Sequence, residues 1–240
     1  MSQALSPYED LFDSALFDNE SYEVQDYRFS GQTVKLLCSA SATTDYDLTG
    51  QILWPAASML AGYLAANPAI LENCTCACEL GAGLGLVGLL AAQACPVVLT
   101  DHNDVVLRVL GRNAELNQAR HSIRCMKLEW NSQKDIEQIL QASPDHTGFD
   151  IVLGADVCYS LKALPALFGV ASQILGRRPG CKFLLGYVSR AYSIDKQILI
   201  QAQVAGFSIQ EVPNTQRDLG GSLEGVVYSL TFQRQIGTQS

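Results

Sequence analysis

The stretch Glu79-Leu80-Gly81-Ala82-Gly83-Leu84-Gly85-Leu86 is the sharpest chemical feature of the chain. It falls where an apolar, strand-like run turns into a helical one. Glycines at such a turn permit positive φ and let a ligand come close to the backbone, with the amides of the next helix start aimed at it. Gly83-x-Gly85-x-x-Gly88 has the spacing of a dinucleotide site, and Asp101 follows Gly83 by 18 residues, near the position of an acidic ribose partner. A site for S-adenosylmethionine uses the same loop, so the glycines alone do not separate it from a nicotinamide cofactor site. Glu79 does discriminate. Just before the glycines it would oppose a pyrophosphate, whereas it can face the ammonium of a methionine moiety, directly or through water. Asp101 would accept hydrogen bonds from the ribose hydroxyls in either case.

The elements that must hold these residues alternate in type. Strands are predicted over 74–80, 97–100, 123–127, 149–155 and 182–188, and helices over 84–94, 104–117, 163–175 and 194–205. Short apolar runs separated by helices of this length mean a parallel sheet covered on both faces. Two further strands, 207–212 and 226–232, follow each other with only a loop between them, which implies an antiparallel final pair. Upstream, Trp54 to Ala66 has helical periodicity ended by Asn67-Pro68, and Tyr27-Arg28-Phe29 and Val34-Lys35-Leu36-Leu37 flank Ser30-Gly31-Gln32 as a hairpin. Residues 1–25 read as an acidic, partly aromatic arm and residues 26–235 as one domain. Lys134 to Gln141 reads as a solvated helical face.

Composition narrows the function classes. A hydrophobic fraction of 48% over 240 residues is enough to bury a core without disulfides or metal. A net charge of -8 disfavours a phosphate backbone as partner, because that affinity comes from basic side chains, and it suits a basic protein segment. Cys74, Cys76 and Cys78 alternate, as side chains filling one face of a strand would, and none of the eight cysteines has metal-site spacing. Reduced thiols in a cytosolic protein are expected, with the nucleus as the other compartment. No signal peptide is expected, since acidic residues precede the first basic residue, Arg28. The uncharged run from Leu80 to Thr100 is broken by glycines and Pro96 and does not read as a membrane span. A Ser-His-Asp hydrolase is disfavoured because no G-x-S-x-G elbow occurs.

Glu-Leu-Gly-x-Gly-x-Gly-Leu, followed by Thr100-Asp101 at the next strand end, resembles the seven-β-strand S-adenosylmethionine-dependent methyltransferases. Trp54-Pro55, Glu129-Trp130 and Ala155-Asp156-Val157-Cys158-Tyr159 are similar to the branch that methylates lysines of proteins, and the likeness covers roughly residues 27–232. It implies a Rossmann-like α/β fold with a seven-stranded sheet in the order 3-2-1-4-5-7-6, strand 7 antiparallel. It implies S-adenosyl-L-methionine as cofactor, with Trp54, Gly81, Ala82, Gly83, Asp101, Trp130 and Ala155 around it beside Glu79. Trp130 would pack on or beside adenine, or else be a core tryptophan; Trp54 would meet the cofactor, or else staple its helix to the sheet.

By the same resemblance, Asp156 and Tyr159 line the acceptor pocket. A lysine amine has a pKa of about 10.4, so neutralising it at pH 7 costs roughly 4.6 kcal/mol, less in a partly dry pocket. Asp156 would attract the ammonium and then aim the neutral amine, and Tyr159 would orient it and exclude water. Asp156 also reads as an N-cap for the helix from Leu161 onwards. Nucleobase methyltransferases carry an Asn/Asp-Pro-Pro-aromatic loop at this place, and Val157 and Cys158 stand where its prolines would be. The expected protein is a monomeric enzyme methylating a protein lysine, without metal, nucleic acid or membrane. A small-molecule amine methyltransferase and a nicotinamide-dependent oxidoreductase are the alternatives. His102, beside Asp101, is expected at the surface or against the cofactor.

Overall fold

The computed structural model describes residues 22–39, 46–218 and 223–233. Of the acidic arm read over residues 1–25, the part up to residue 21 lies outside the described residues. A hairpin opens the described chain: β1 (Tyr22–Phe29) pairs antiparallel with β2 (Gln32–Ser39). Its strands are longer than the sequence pattern indicated, and the turn at Ser30-Gly31 carries positive φ at both residues, as two-residue hairpin turns require.

A 3-10 turn (Tyr46–Gln51) leads into α1 (Pro55–Ala66), after which come β3 (Ala77–Leu80), α2 (Leu86–Ala91), β4 (Val97–Asp101), α3 (Asp104–Leu116), β5 (Ile123–Lys127) and α4 (Gln133–Ala142). The chain then runs through β6 (Ile151–Ala155), α5 (Leu164–Ile174), β7 (Lys182–Val188), α6 (Tyr192–Val204), β8 (Phe207–Glu211), the two-residue β9 (Arg217–Asp218) and β10 (Glu224–Phe232). The main sheet has the order β5-β4-β3-β6-β7-β10-β8, with β9 added against β10. All neighbours from β5 to β7 are parallel, and β10 is antiparallel to both β7 and β8. That is the expected 3-2-1-4-5-7-6 arrangement. Among the described strands, only the short β9 had no counterpart in the sequence pattern, since two residues carry no periodicity.

Alternation along the strands divides the core in two. Ala77, Val97, Leu99, Ile151, Leu153 and Leu184 face α1, α2, α3 and the hairpin, while Cys78, Val98, Val152, Phe183 and Leu185 face α4, α5 and α6. The cysteines correct the sequence reading in part. Cys76 and Cys78 share a face, but Cys74 lies ahead of β3 and packs with the opposite layer. The stretch 133–142 is amphipathic: Ile136 and Ile139 are buried, Leu140 and Ala142 pack partly against the core, and the polar residues form the solvated face.

The hairpin is tied to the sheet through α3. Asn113 is fully buried, its Oδ1 accepting the Leu37 N–H at 2.7 Å and its Nδ2 donating to the Leu84 carbonyl at 3.0 Å. Asn117 accepts the Lys35 N–H at 2.9 Å and donates to the Lys35 carbonyl at 2.8 Å. One asparagine therefore links the hairpin directly to the glycine loop.

Candidate functional site

In this topology the chain moves from β3 outward through β4 to β5, then returns to the other side of β3 with β6. Ligands of open α/β sheets bind outside the carboxyl ends of the strands at such a reversal. The carboxyl ends of β3, β4 and β6 open there into a cavity of about 760 Å³. All ten residues singled out from sequence line it: Trp54, Glu79, Gly81, Ala82, Gly83, Asp101, Trp130, Ala155, Asp156 and Tyr159.

The loop between β3 and α2 adopts left-handed φ at Gly81 (58°), Gly83 (54°) and Gly85 (85°). The predicted helix over 84–94 shrinks to Leu86–Ala91, because the third of these glycines keeps the loop open to residue 85. Gly88 serves packing rather than a ligand. A Cβ there would stand 2.1 Å from Leu99 Cδ2 and 2.7 Å from Glu79 Oε2. The missing side chain makes room for the Glu79 carboxylate, whose Oε2 accepts the Gly88 N–H at 2.8 Å. Burial, with the Asp101 charge adding to it and the Gly88 N–H opposing it, pushes the Glu79 carboxyl up to about 8.

Asp101 closes the neighbouring strand end. Its Oδ2 accepts the Gly83 N–H at 3.1 Å and its Oδ1 the Asn103 N–H at 3.1 Å. Thr100 fixes the two strand ends to each other, its hydroxyl donating to the Glu79 carbonyl at 2.7 Å and its carbonyl accepting the Ala82 N–H at 2.8 Å. His102 has a mostly exposed side chain, lies 3.4 Å from Asp101 Oδ1 and contributes to the cavity wall. Trp130 packs partly against the α4/α5 layer and lies against the glycine loop, its Cζ2 3.6 Å from where a Gly81 Cβ would stand. Core and cavity roles therefore coincide in this residue.

At the end of β6, Asp156 has φ of 57°, a conformation that L-residues hold only when surrounding contacts demand it. Two contacts do. Its Oδ2 accepts the Ala56 N–H at 3.2 Å, and its Oδ1 accepts from Arg190 Nη1 at 2.5 Å. The sequence reading of Asp156 as a cap for the helix from Leu161 onwards is thus corrected. That helix starts at Leu164 after Ala163, with no side-chain cap, and the end that Asp156 caps belongs to α1. Trp54 is the N-cap residue of α1, its indole donating to the Thr49 carbonyl at 2.9 Å, so it both starts the helix and walls the cavity. Tyr159 stands in the cavity wall 46% exposed.

Arg190 is the functional candidate that sequence reasoning missed. It follows β7, lies in no motif, and is brought to Asp156 only by the β6–β7 pairing. Its guanidinium sits 5.4 Å from the centre of the Trp54 ring, and the hydrogen bond to Asp156 raises its pKa further. The turn before α1 was also missed: Thr49 and Gly50 reach the cavity from it.

A doubly covered sheet with this strand order, a glycine loop at the topological reversal and carboxylates at three strand ends define a nucleoside-cofactor-binding α/β protein of the methyltransferase type. Residues 40–203 match the lysine methyltransferase family, and the chain belongs to that family, which implies S-adenosyl-L-methionine as its cofactor. Among curated relatives, the protein-lysine N-methyltransferase EFM3 of Chaetomium thermophilum is 26% identical over 73% of this chain and 53% of its own length. The protein-lysine N-methyltransferase EEF2KMT of Homo sapiens is 28% identical over 71% of this chain and 54% of its own. The chain therefore spans about half the length of these relatives. Of solved structures, the magnesium protoporphyrin IX methyltransferase of Synechocystis PCC 6803 with bound SAM shares the fold, with a TM-score of 0.53, 14% identity and coverage of 80% of this chain and 86% of that one.

Proposed function

We propose that this chain transfers a methyl group from S-adenosyl-L-methionine to the side-chain amine of a lysine on another protein. The observation that carries the reading is the pairing of Asp101 and Asp156 at the ends of β4 and β6, on either side of the glycine loop and in one cavity. The residues present fit the cofactor. The cavity, of about 760 Å³, lies within the roughly 300–1,000 Å³ of small-molecule sites. Gly81 leaves open a cradle that a Cβ would crowd against Val157. Glu79 is a buried carboxyl group in the wall, which an ammonium would hold ionised and pair with, whereas a pyrophosphate would gain no cationic partner from it; this disfavours the nicotinamide alternative.

S-adenosyl-L-methionine, when bound, supplies an electrophilic methyl group on a sulfonium. The chain's own residues then have three tasks. Asp101 would hold the ribose hydroxyls, Glu79 the methionine ammonium, and Trp130 the face or edge of adenine. Asp156 would aim the acceptor nitrogen, with Tyr159 and Trp54 excluding water around the aliphatic part of the lysine. Holding nitrogen and methyl in line can account for about 7–11 kcal/mol of barrier lowering, so positioning is the main demand on the protein.

A protein acceptor is favoured over a small amine by the family and by the exposed aromatic rings of Trp54 and Tyr159 in the cavity wall, which suit a side chain reaching in from a larger body. The net charge of -8 suits a basic segment around that lysine. We place the protein in the cytoplasm or nucleus; among the described residues no helix is long and apolar enough to cross a membrane. Incubating the purified chain with tritiated cofactor and a cell lysate, then hydrolysing the labelled protein, tests the reading. Label recovered as methyllysine is expected; label confined to small amines would move the function to the small-molecule alternative.

A further inference from the structure

We propose that Arg190 is a positioning residue that neutralises Asp156, so that the acceptor end of the cavity receives lysine as the neutral amine rather than as the ammonium. The inference rests on the methyltransferase reading above and adds a charge logic to it. A methyl acceptor needs a free lone pair on nitrogen, and a bare carboxylate in a poorly solvated wall would hold the substrate in its protonated, unreactive form. The Asp156 side chain is 3% exposed, and its Oδ1 is engaged by Arg190 Nη1 at 2.5 Å. Its Oδ2 takes the Ala56 N–H at 3.2 Å. Among the described residues of the cavity wall, Arg190 is the only lysine or arginine, against the carboxylates of Glu79, Asp101, Glu129 and Asp156. The role of attracting an ammonium, read for Asp156 from sequence, is thereby taken by the protein's own cation.

The surroundings keep that pairing intact across the working pH range. The Cys158 thiol, in the same loop as Asp156, is pushed up by burial and stays neutral. On β7, the Tyr187 hydroxyl is raised first by burial and donates to Asp195 Oδ1 of α6 at 2.6 Å, while the Tyr228 hydroxyl on β10 is raised by burial as well. Asp195 also accepts from Ser189 at 3.0 Å, so it does not compete for Arg190. At the start of α1 the Ala56 amide and the neutral Trp54 ring meet the pair, the ring facing the guanidinium at 5.4 Å, and Arg190 Nη1 also donates to the Val188 carbonyl at 3.4 Å. Of the remaining wall, His102 lies beside Asp101 at 3.4 Å. The lysine proton leaves to solvent before the amine enters, and Asp156 is not required to take it.

The test measures binding of n-butylamine, the equivalent of a whole lysine side chain, to the complex of the full chain with S-adenosylhomocysteine between pH 7 and 10. Apparent affinity of the wild type is expected to rise about tenfold per pH unit below the amine pKa, because only the neutral form binds. Arg190→Met keeps an apolar stem near Trp54 and removes the charge. It should bind the amine at least tenfold tighter at pH 7 and lose the dependence on pH, and adding Asp156→Asn should abolish that gain. Arg190→Lys should restore the wild-type profile. If Arg190→Met does not fold, Arg190→Gln carries the same expectation. Equal pH dependence in wild type and variant, or no tighter binding by the variant at pH 7, overturns the positioning role. Failure of the wild type to bind S-adenosylhomocysteine would instead overturn the cofactor reading on which it rests.

Discussion

Asp156 caps a helix through a residue 100 positions before it, its Oδ2 accepting the Ala56 N–H at 3.2 Å while its Oδ1 binds Arg190. The proposed acceptor-aiming carboxylate is therefore also a joint between α1, β6 and the loop after β7. Structural and catalytic consequences of mutation can be separated. Asp156→Ala loses the cap, worth about 1 kcal/mol, and leaves Arg190 unpaired, which adds less than for a fully buried partner because its side chain is 31% exposed. Asp156→Asn keeps an oxygen for Ala56 and loses the charge. Both variants should bind S-adenosylhomocysteine within a few-fold of wild type, and both should lose methyl transfer. The pair of measurements is a thermal melt with calorimetry and a single-turnover methylation assay; turnover retained in either variant would remove Asp156 from the acceptor site.

Glu79 makes the molecule sensitive to pH in a definite direction. Its folded pKa of about 8 lies above the ordinary carboxyl value of 4.5, so between these the folded protein holds a proton that the unfolded chain has released. The associated stability is fully present below 4.5 and is lost as pH rises through about 8. A cofactor ammonium facing Glu79 would require the ionised form, so binding at pH 7 should release close to one proton from this residue. Calorimetry of S-adenosylhomocysteine in buffers of different ionisation enthalpy reads that number. Glu79→Gln should abolish the release, and the variant's apo stability should depend less on pH between 5 and 8.

Asp101→Ala should weaken S-adenosylhomocysteine by roughly 1.5–3 kcal/mol, the loss of charged hydrogen bonds to the ribose. The same change frees the Gly83 and Asn103 amides, so a modest fall in melting temperature should accompany it. Asp101→Asn separates the effects, since its oxygen can still accept one of those amides. Equal affinity in wild type and both variants would remove Asp101 from the ribose site.

Asn113 carries the hairpin's attachment to the glycine loop. Asn113→Ala leaves the Leu37 N–H and the Leu84 carbonyl without their partner, at about 1–3 kcal/mol for each group that stays dry. A drop in melting temperature with faster amide exchange at Leu37 and in the glycine loop is the expected result. An unchanged melt would show that the hairpin is held by its apolar contacts alone.

The elements and most of the site were legible because their signals are local. Glu79, the glycines and Asp101 sit at strand ends, where a few adjacent residues encode both the turn and the proposed ligand chemistry. Strand order followed from the resemblance, and the antiparallel last pair from two strands with no helix between them. What escaped depends on contacts between distant segments. Nothing near Arg190 in sequence marks it, and its meaning comes from the parallel pairing of β6 with β7. Asp156 was read as a cap for the helix that follows it, because sequence proximity favours that reading, yet the free amides it meets belong to α1. Cys74 was placed with Cys76 and Cys78 by period two, a rule that still holds for Cys76, next to the strand, and fails for Cys74, three residues ahead of it.

The measurement closest to the central claim is a calorimetric titration of the purified chain with S-adenosylhomocysteine, run in parallel with NAD. Saturable one-to-one binding of the first, abolished or strongly weakened by Asp101→Ala, with no heat from the second, is the expected result. Binding of NAD with no response to S-adenosylhomocysteine would contradict the assignment of Glu79 and the methyltransferase reading together.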